Sequence, residues 1–209
     1  MSLFITFEGP EGSGKTRQLA ALTEYLRQCG YTVLATREPG GTVIGDQIRT
    51  VLSDLKNTAM RPRTETLLFQ ASRAQLVEEV MRPCLERGGV VLCDRYADST
   101  LAYQGYGHCF DLDELTALIR FATGGLQPDL TLLLDVDVEE GLRRKRSGGE
   151  WNRLDAYDLD FHRRVRLGFL KMARSEPQRW VLVDAGQPPE AVEAAIRTAV
   201  MARLSRSAA

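Results

Sequence analysis

The sequence predicts an α/β fold, a doubly wound parallel five-stranded sheet flanked by helices. Three observations carry this expectation. Five short runs (residues 3–7, 32–35, 90–93, 130–136 and 180–183) are rich in Val, Ile, Leu and aromatics, and none alternates cleanly with polar residues. Such runs belong to strands buried on both faces, as parallel strands are. Segments of helical period separate them, giving each strand the crossover that a parallel neighbour requires. A glycine-rich loop stands directly behind the first run, where a doubly wound sheet gathers its ligands.

The elements follow in order. Leu3-Phe4-Ile5-Thr6-Phe7 is the first strand, and an amphipathic segment begins at Arg17. Leu19, Leu22, Tyr25 and Leu26 form its apolar stripe, closed by Gly30 at a C′ position. The second strand, 32–35, runs into Thr36-Arg37-Glu38-Pro39-Gly40-Gly41-Thr42, read as a turn-rich loop. Leu67, Leu68, Ala71, Gln75, Leu76, Val80 and Met81 trace a long helix ending near Gly88-Gly89. Strand 90–93 ends in Asp94-Arg95-Tyr96. Leu115, Leu118, Ile119 and Ala122 mark a third helix before Gly124-Gly125, and strand 130–136 follows. A fourth helix spans about 161–173, strand 180–183 completes the sheet, and the segment after Pro189 is a fifth helix. No repeat or low-complexity linker divides the chain, so residues 1–209 read as one domain.

Composition narrows the function classes. The formal net charge is −1, which gives no general attraction to nucleic acid or to an anionic membrane. No run reaches the roughly 18 apolar residues of a membrane span, and the N-terminus enters the first strand without a basic leader. Cys29, Cys84, Cys93 and Cys109 are scattered and form no C-x-x-C pair, which fits a reduced, cytoplasmic setting. His108 and His162 have no partner at metal spacing.

The chemistry begins with Gly9-Pro10-Glu11-Gly12-Ser13-Gly14-Lys15-Thr16, which completes the phosphate-loop pattern G-x-x-x-x-G-K-[ST] between a strand and a helix. In that context backbone N–H groups and the helix N-terminus converge on one anion. Lys15 then reaches the β- and γ-phosphates of a nucleoside triphosphate, and the Thr16 hydroxyl ligates Mg²⁺. Asp94, at the end of a buried strand, is a second candidate Mg²⁺ ligand, and Arg95 can grip a phosphate with two N–H groups. Thr36 and Arg37 fall where a bound anion would lie, and Pro39 with the glycines fixes an unusual path. Phe69, Arg73, Ser99, Thr100, Tyr103 and Gln104 are ambiguous on chemistry alone. Phe69 reads as a core residue and Arg73 as a helix-surface cation, or the two together as a platform for a base. Residues 143–154 combine five cations (Arg143, Arg144, Lys145, Arg146, Arg153) with Gly148-Gly149, and form either a solvated helix end or a mobile lid over transferring phosphates.

Taken together, residues 7–16, 36–42, 65–75 and 128–131, with Asp94-Arg95-Tyr96, Ser99-Thr100 and Ala102-Tyr103-Gln104-Gly105, resemble the bacterial thymidylate kinases, a P-loop NTPase-type family, over nearly the whole chain. The resemblance implies ATP-dependent phosphorylation of dTMP to dTDP with Mg²⁺, by a homodimer. Carried over by position, Phe69 would stack on thymine and Arg73 would bond its edge. Thr100 and Gln104 would complete the base pocket, with Ser99 beside them. Tyr103 would crowd the sugar 2′ position, and Glu11 would lie near the 3′-hydroxyl. Arg49 and Arg95 would hold the dTMP phosphate near Arg37, Glu38 and Pro39, and adenine would rest near the loop after Asp184. The lid departs from the family's pattern, because Gly148 replaces a third arginine and Asn152 an aspartate, so the catalytic arginine is Arg146 or Arg153, with Arg144 a further candidate.

Phosphoryl transfer needs alignment and charge neutralisation and no protein nucleophile, which agrees with the lack of a Ser/His/Asp or Cys/His arrangement. Two alternatives remain open on the sequence. One is a kinase for another monophosphate such as dUMP or dCMP. The other is a GTP-binding switch, since Asn152-Arg153-Leu154-Asp155 is superficially similar to an N-K-x-D motif. That segment follows no strand end, and no D-x-x-G element precedes it.

Overall fold

A computed structural model describes residues 2–148 and 151–207. Five parallel strands, β1 (Leu3–Glu8), β2 (Val33–Arg37), β3 (Val90–Asp94), β4 (Leu130–Asp135) and β5 (Trp180–Asp184), form one sheet in the order β2-β3-β1-β4-β5. The chain first winds to one side of β1 and then, from β4, to the other. The strand ends beside β1 therefore open onto the crevice where such sheets bind ligands.

Both faces of the sheet are covered. Leu3, Ile5 and Phe7 of β1 pack with Leu19, Leu22 and Leu26 of α1 (Lys15–Gln28) and with Ile196 and Val200 of α9 (Pro189–Ser207). Phe4 points to the opposite face, against Leu76, Val77 and Met81. These three lie along α3 (Pro62–Leu76) and a π-helical segment (Val77–Met81) that runs on into α4 (Arg82–Glu86). Here the period-2 alternation of a strand feeds two separate cores, which is why the apolar run in β1 is unbroken. A third cluster joins Ala102 and Tyr103 to Phe161, Val165 and Phe169. It packs a π-helical turn (Leu101–Gly107), reached through α5 (Ala97–Thr100), against α8 (Leu159–Ser175). Helix α6 (Leu112–Thr123) lies beside α3.

Besides the helical stretch 97–107, two helices depart from the sequence reading. The stretch after the second strand contains α2 (Val43–Ser53), whose N-terminus is capped by the Thr42 hydroxyl accepting from the Gly45 amide at 2.9 Å. Its opening glycines and β-branched residues hid it. The first half of the expected lid is helical, because Arg143–Ser147 are the end of α7 (Val138–Ser147). Asp137 caps that helix through the Glu139 amide at 3.0 Å. Gly149 and Glu150, within the expected lid, lie outside the described residues, as do the chain's terminal residues 1, 208 and 209.

Candidate active site

The loop after β1 carries Lys15 across its own backbone. The ammonium donates to the carbonyls of Pro10 (2.8 Å) and Gly9 (3.1 Å) and to Ser13 Oγ (3.1 Å). Burial, helped by Arg95, pulls its pKa down to about 8. Gly12 has φ +68° and no room for a side chain, since a Cβ there would stand 1.9 Å from the carbonyl oxygen of Gly141 on α7. Beside the loop, Thr16 Oγ1 donates to Asp94 Oδ2 at 2.6 Å, which joins the two candidate Mg²⁺ ligands.

Arg95 leaves β3 with φ +69°, a conformation rare for a residue with a side chain. It turns the guanidinium toward the loop, where it donates to Glu11 Oε1 (2.7 Å), the Gly9 carbonyl (3.1 Å) and Ser99 Oγ (3.3 Å), stacked over Tyr103. The Tyr103 hydroxyl donates to the same Glu11 oxygen at 2.7 Å. Burial alone would raise the Glu11 carboxyl, but Arg95 and Lys15 outweigh it and hold it at about 2. Behind them, Glu8 accepts from the Tyr96 amide (2.8 Å) and Ser99 Oγ (2.6 Å). Burial and the nearby Asp98 push Glu8 up to about 8.

Arg73 is 1% exposed, so it is not a helix-surface cation. Its five N–H groups meet Glu38 Oε2 (2.8 and 2.6 Å), Gln70 Oε1 (2.8 Å), Thr100 Oγ1 (2.9 Å) and the Tyr96 carbonyl (2.9 Å). A base edge can bond Arg73 only by sharing a donor with one of these. Phe69 is half-buried rather than a core residue, and Gln104 donates to Glu65 Oε1 at 2.8 Å. Arg49 donates to the Pro39 carbonyl at 3.0 Å, and the exposed Arg37 stands 3.8 Å from Asp46.

One cavity of about 400 Å³ unites most of these groups. Glu11, Gly12, Gly14, Lys15, Thr16 and Asp94 line one end, and Arg37, Glu38, Pro39, Arg49, Phe69, Arg73, Arg95, Ser99, Thr100, Tyr103 and Gln104 the rest. Gly9, Pro10 and Ser13 do not line the cavity and accept the Lys15 hydrogen bonds instead. Neither Arg146 nor Arg153 lines the cavity. Arg146 stacks on Trp151 at 4.9 Å. Arg153 is buried and donates to Glu65 Oε2 (2.6 Å), the Leu52 carbonyl (2.9 Å) and Tyr157 Oη (3.1 Å). It is an anchor at the lid's root, against the expectation that it swings over the phosphates. Arg144 donates to Glu140 (2.7 Å) and to the Ala185 carbonyl (3.0 Å), in the loop expected to hold adenine.

Sequence reasoning passed over Glu65 and Lys145. Glu65 opened a recognisable stretch, but a lone glutamate on a helix reads as solvated. Lys145 stands in a run of arginines with nothing in the sequence to single it out, yet it is the lid cation that lines the cavity. Among the described residues no cluster of three or more His, Cys, Asp or Glu could hold a metal, which leaves the Thr16–Asp94 pair as the candidate. No helix among the described residues is long and apolar enough to cross a membrane.

Comparison with known proteins agrees with this geometry. The family profile described as "Thymidylate kinase" matches residues 7–196. The chain is 56% identical to a thymidylate kinase of Thermomicrobium roseum, over 99% of this chain and 100% of that one. It is 52% identical to one from Herpetosiphon aurantiacus, over 98% of each. The crystal structure of thymidylate kinase from Ehrlichia chaffeensis superposes with a TM-score of 0.80 at 33% identity, over 95% of this chain and 98% of the other.

Proposed function

The chain belongs to the thymidylate kinase family and phosphorylates dTMP, and from that premise we propose how its residues carry the reaction. ATP is the donor. One oxygen of the dTMP phosphate forms a bond to the γ-phosphorus of ATP while the bond from that phosphorus to the ADP oxygen breaks, giving dTDP and ADP. Residues 9–16 hold the triphosphate through their amides and Lys15. Thr16 and Asp94 are hard oxygen donors 2.6 Å apart beside that loop and fit Mg²⁺, which when bound would neutralise phosphate charge.

The acceptor occupies the other end. Arg95 and Arg49 hold its phosphate, with Arg37, Glu38 and Pro39 forming the rim. Glu11 faces the sugar 3′-hydroxyl, Tyr103 lies under the sugar, and Phe69, Arg73, Ser99, Thr100 and Gln104 enclose the base. Lys15 and Arg95 are the fixed catalytic cations, and the lid adds positive charge above them. Arg146 stays exposed at the end of α7, whereas Arg153 is committed to Glu65.

The observation that carries this reading is that phosphate loop and base pocket line one cavity, which sets donor and acceptor end to end. An ADP-release assay with ATP, Mg²⁺ and a panel of monophosphates tests it. ADP should form rapidly only with dTMP, and dUMP should be slower by the roughly 1–3 kcal/mol one methyl group can supply. Equal turnover of dCMP would overturn the base-pocket assignment.

A homodimer in the cytoplasm completes the proposal. Val43, Ile44 and Val51 on α2, Leu67 on α3 and Phe121 on α6 are exposed apolar side chains on three helices that pack together. Sedimentation of Phe121→Glu, expected to shift mass toward the monomer, tests that surface.

A further inference from the structure

We propose that Lys145 is the lid cation that contacts the transferring phosphoryl group. This deepens the reading of the crevice as the site of phosphoryl transfer and rests on it.

The geometry begins where α7 meets the phosphate loop. A Cβ on Gly141 would stand 2.2 Å from the carbonyl oxygen of Glu11, and one on Gly12 would stand 1.9 Å from the carbonyl oxygen of Gly141. Backbone therefore touches backbone, and the face of α7 that carries Gly141 is the face turned to the loop. Residues four apart share a helix face, so Lys145 projects from that same face one turn later. It lines the cavity with Glu11, Gly12, Asn152 and Leu154.

The neighbouring cations are engaged elsewhere. Arg143 bonds Glu140 through two N–H groups at 2.8 Å on the exposed side of the helix. Arg144 spans Glu140 and the Ala185 carbonyl, Arg146 lies on Trp151, and Arg153 is held by Glu65. Among the described residues the Lys145 ammonium makes one long ion-pair contact, 3.9 Å to Asp155 Oδ2, and its charge also helps hold the Glu11 carboxyl down. Asp155 is 1% exposed, its Oδ2 accepts from the Asn152 amide at 2.9 Å, and its Oδ1 is buried without a hydrogen-bond partner. Burial, with the Glu11 charge beside it, pushes its carboxyl up to about 6. So weak a counter-ion parks the ammonium without binding it tightly. The four-carbon stem of lysine lets that point charge move from Asp155 to the phosphoryl oxygens. There it donates hydrogen bonds while the dTMP oxygen bonds to phosphorus and ADP departs, and it transfers no proton.

Lys145→Ala, Lys145→Gln and Lys145→Arg, each with a thermal melt, test the assignment beside Arg146→Ala. Removal of one preorganised transition-state donor costs about 10²–10³ in kcat. The alanine and glutamine variants should therefore lose about a hundredfold or more in kcat, with KM for dTMP and ATP within about threefold, and arginine should restore most of the loss. Lys145→Gln keeps the comparison valid if the alanine variant melts early. A kcat within about threefold of wild type for both neutral variants overturns the inference, as does a larger fall for Arg146→Ala than for Lys145→Ala. Failure of the wild-type protein to release ADP with dTMP would instead overturn the reading of the crevice.

Discussion

Arg153 donates to Glu65 at 2.6 Å across 88 residues of sequence, tying the far side of the lid to the helix that carries Phe69 and Arg73. The same carboxylate accepts from Tyr157 Oη (2.9 Å) and Gln104 Nε2 (2.8 Å), and His108 Nε2 stands 3.5 Å away. One buried charge thus organises α3, the π-helical turn and the lid's root.

Removal of Arg153 should therefore cost stability. Arg153→Ala leaves Glu65 charged and buried with neutral donors only, which typically costs about 3–5 kcal/mol. The exposed Arg146→Ala should stay within about 0.5 kcal/mol of the native protein. Urea denaturation of both variants measures the contrast, and equal midpoints would remove the anchor role.

The pH dependence has a defined sign. Burial would raise the Glu65 carboxyl, but His108 beside it and the hydrogen bond from Arg153 outweigh it and hold it at about 2, from 4.5. A depressed carboxylate contributes stability that is present above pH 4.5 and lost as pH falls toward 2. At about 1.4 kcal/mol per pH unit this contribution is on the order of 3 kcal/mol. The stability curves of the native protein and Glu65→Gln should converge over that window. Parallel curves would show that Glu65 is not held ionised.

Arg73 calls for a paired experiment. Arg73→Ala should raise KM for dTMP and leave KM for ATP unchanged. It also strands Glu38, which burial already pushes above its ordinary range, so the single variant should melt early. Arg73→Ala with Glu38→Gln should recover the melting temperature without recovering dTMP binding. Recovery of both would make Arg73 a purely structural residue.

Tyr103 separates ring from hydroxyl. Tyr103→Phe loses the 2.7 Å bond to Glu11 but keeps the ring, and should keep the preference for deoxyribose. Tyr103→Ala should relax it, read as the ratio of kcat/KM for dTMP and its ribo counterpart. An unchanged ratio in the alanine variant would place the discrimination elsewhere.

Much of this was legible in the sequence, for physical reasons. Apolar runs buried on both faces announce parallel strands, and all five appear in the sheet. A phosphate loop is written in contiguous residues, so its strand and helix could be named beforehand. Helix α2 was harder to see, because Thr42 caps a segment of glycine and β-branched residues whose helicity depends on packing against α3. Glu65 and Arg153 were illegible for another reason. Each is an ordinary charged residue until the fold buries both and joins them. Arg73 reads as a surface cation in the sequence because, of the four residues it bonds, only Gln70 is near it in the chain, and Glu38, Tyr96 and Thr100 are brought to it by the fold.

The approach of Gly12 to Gly141 bears on how this protein can change over time. Most steric faults in a folded protein can be relieved by a second substitution that trims the offending neighbour. Here the neighbour on each side is main chain, which no substitution removes. Neither position should have a suppressor elsewhere in the molecule. Any lineage that varied the lid or the loop would have had to keep both glycines throughout.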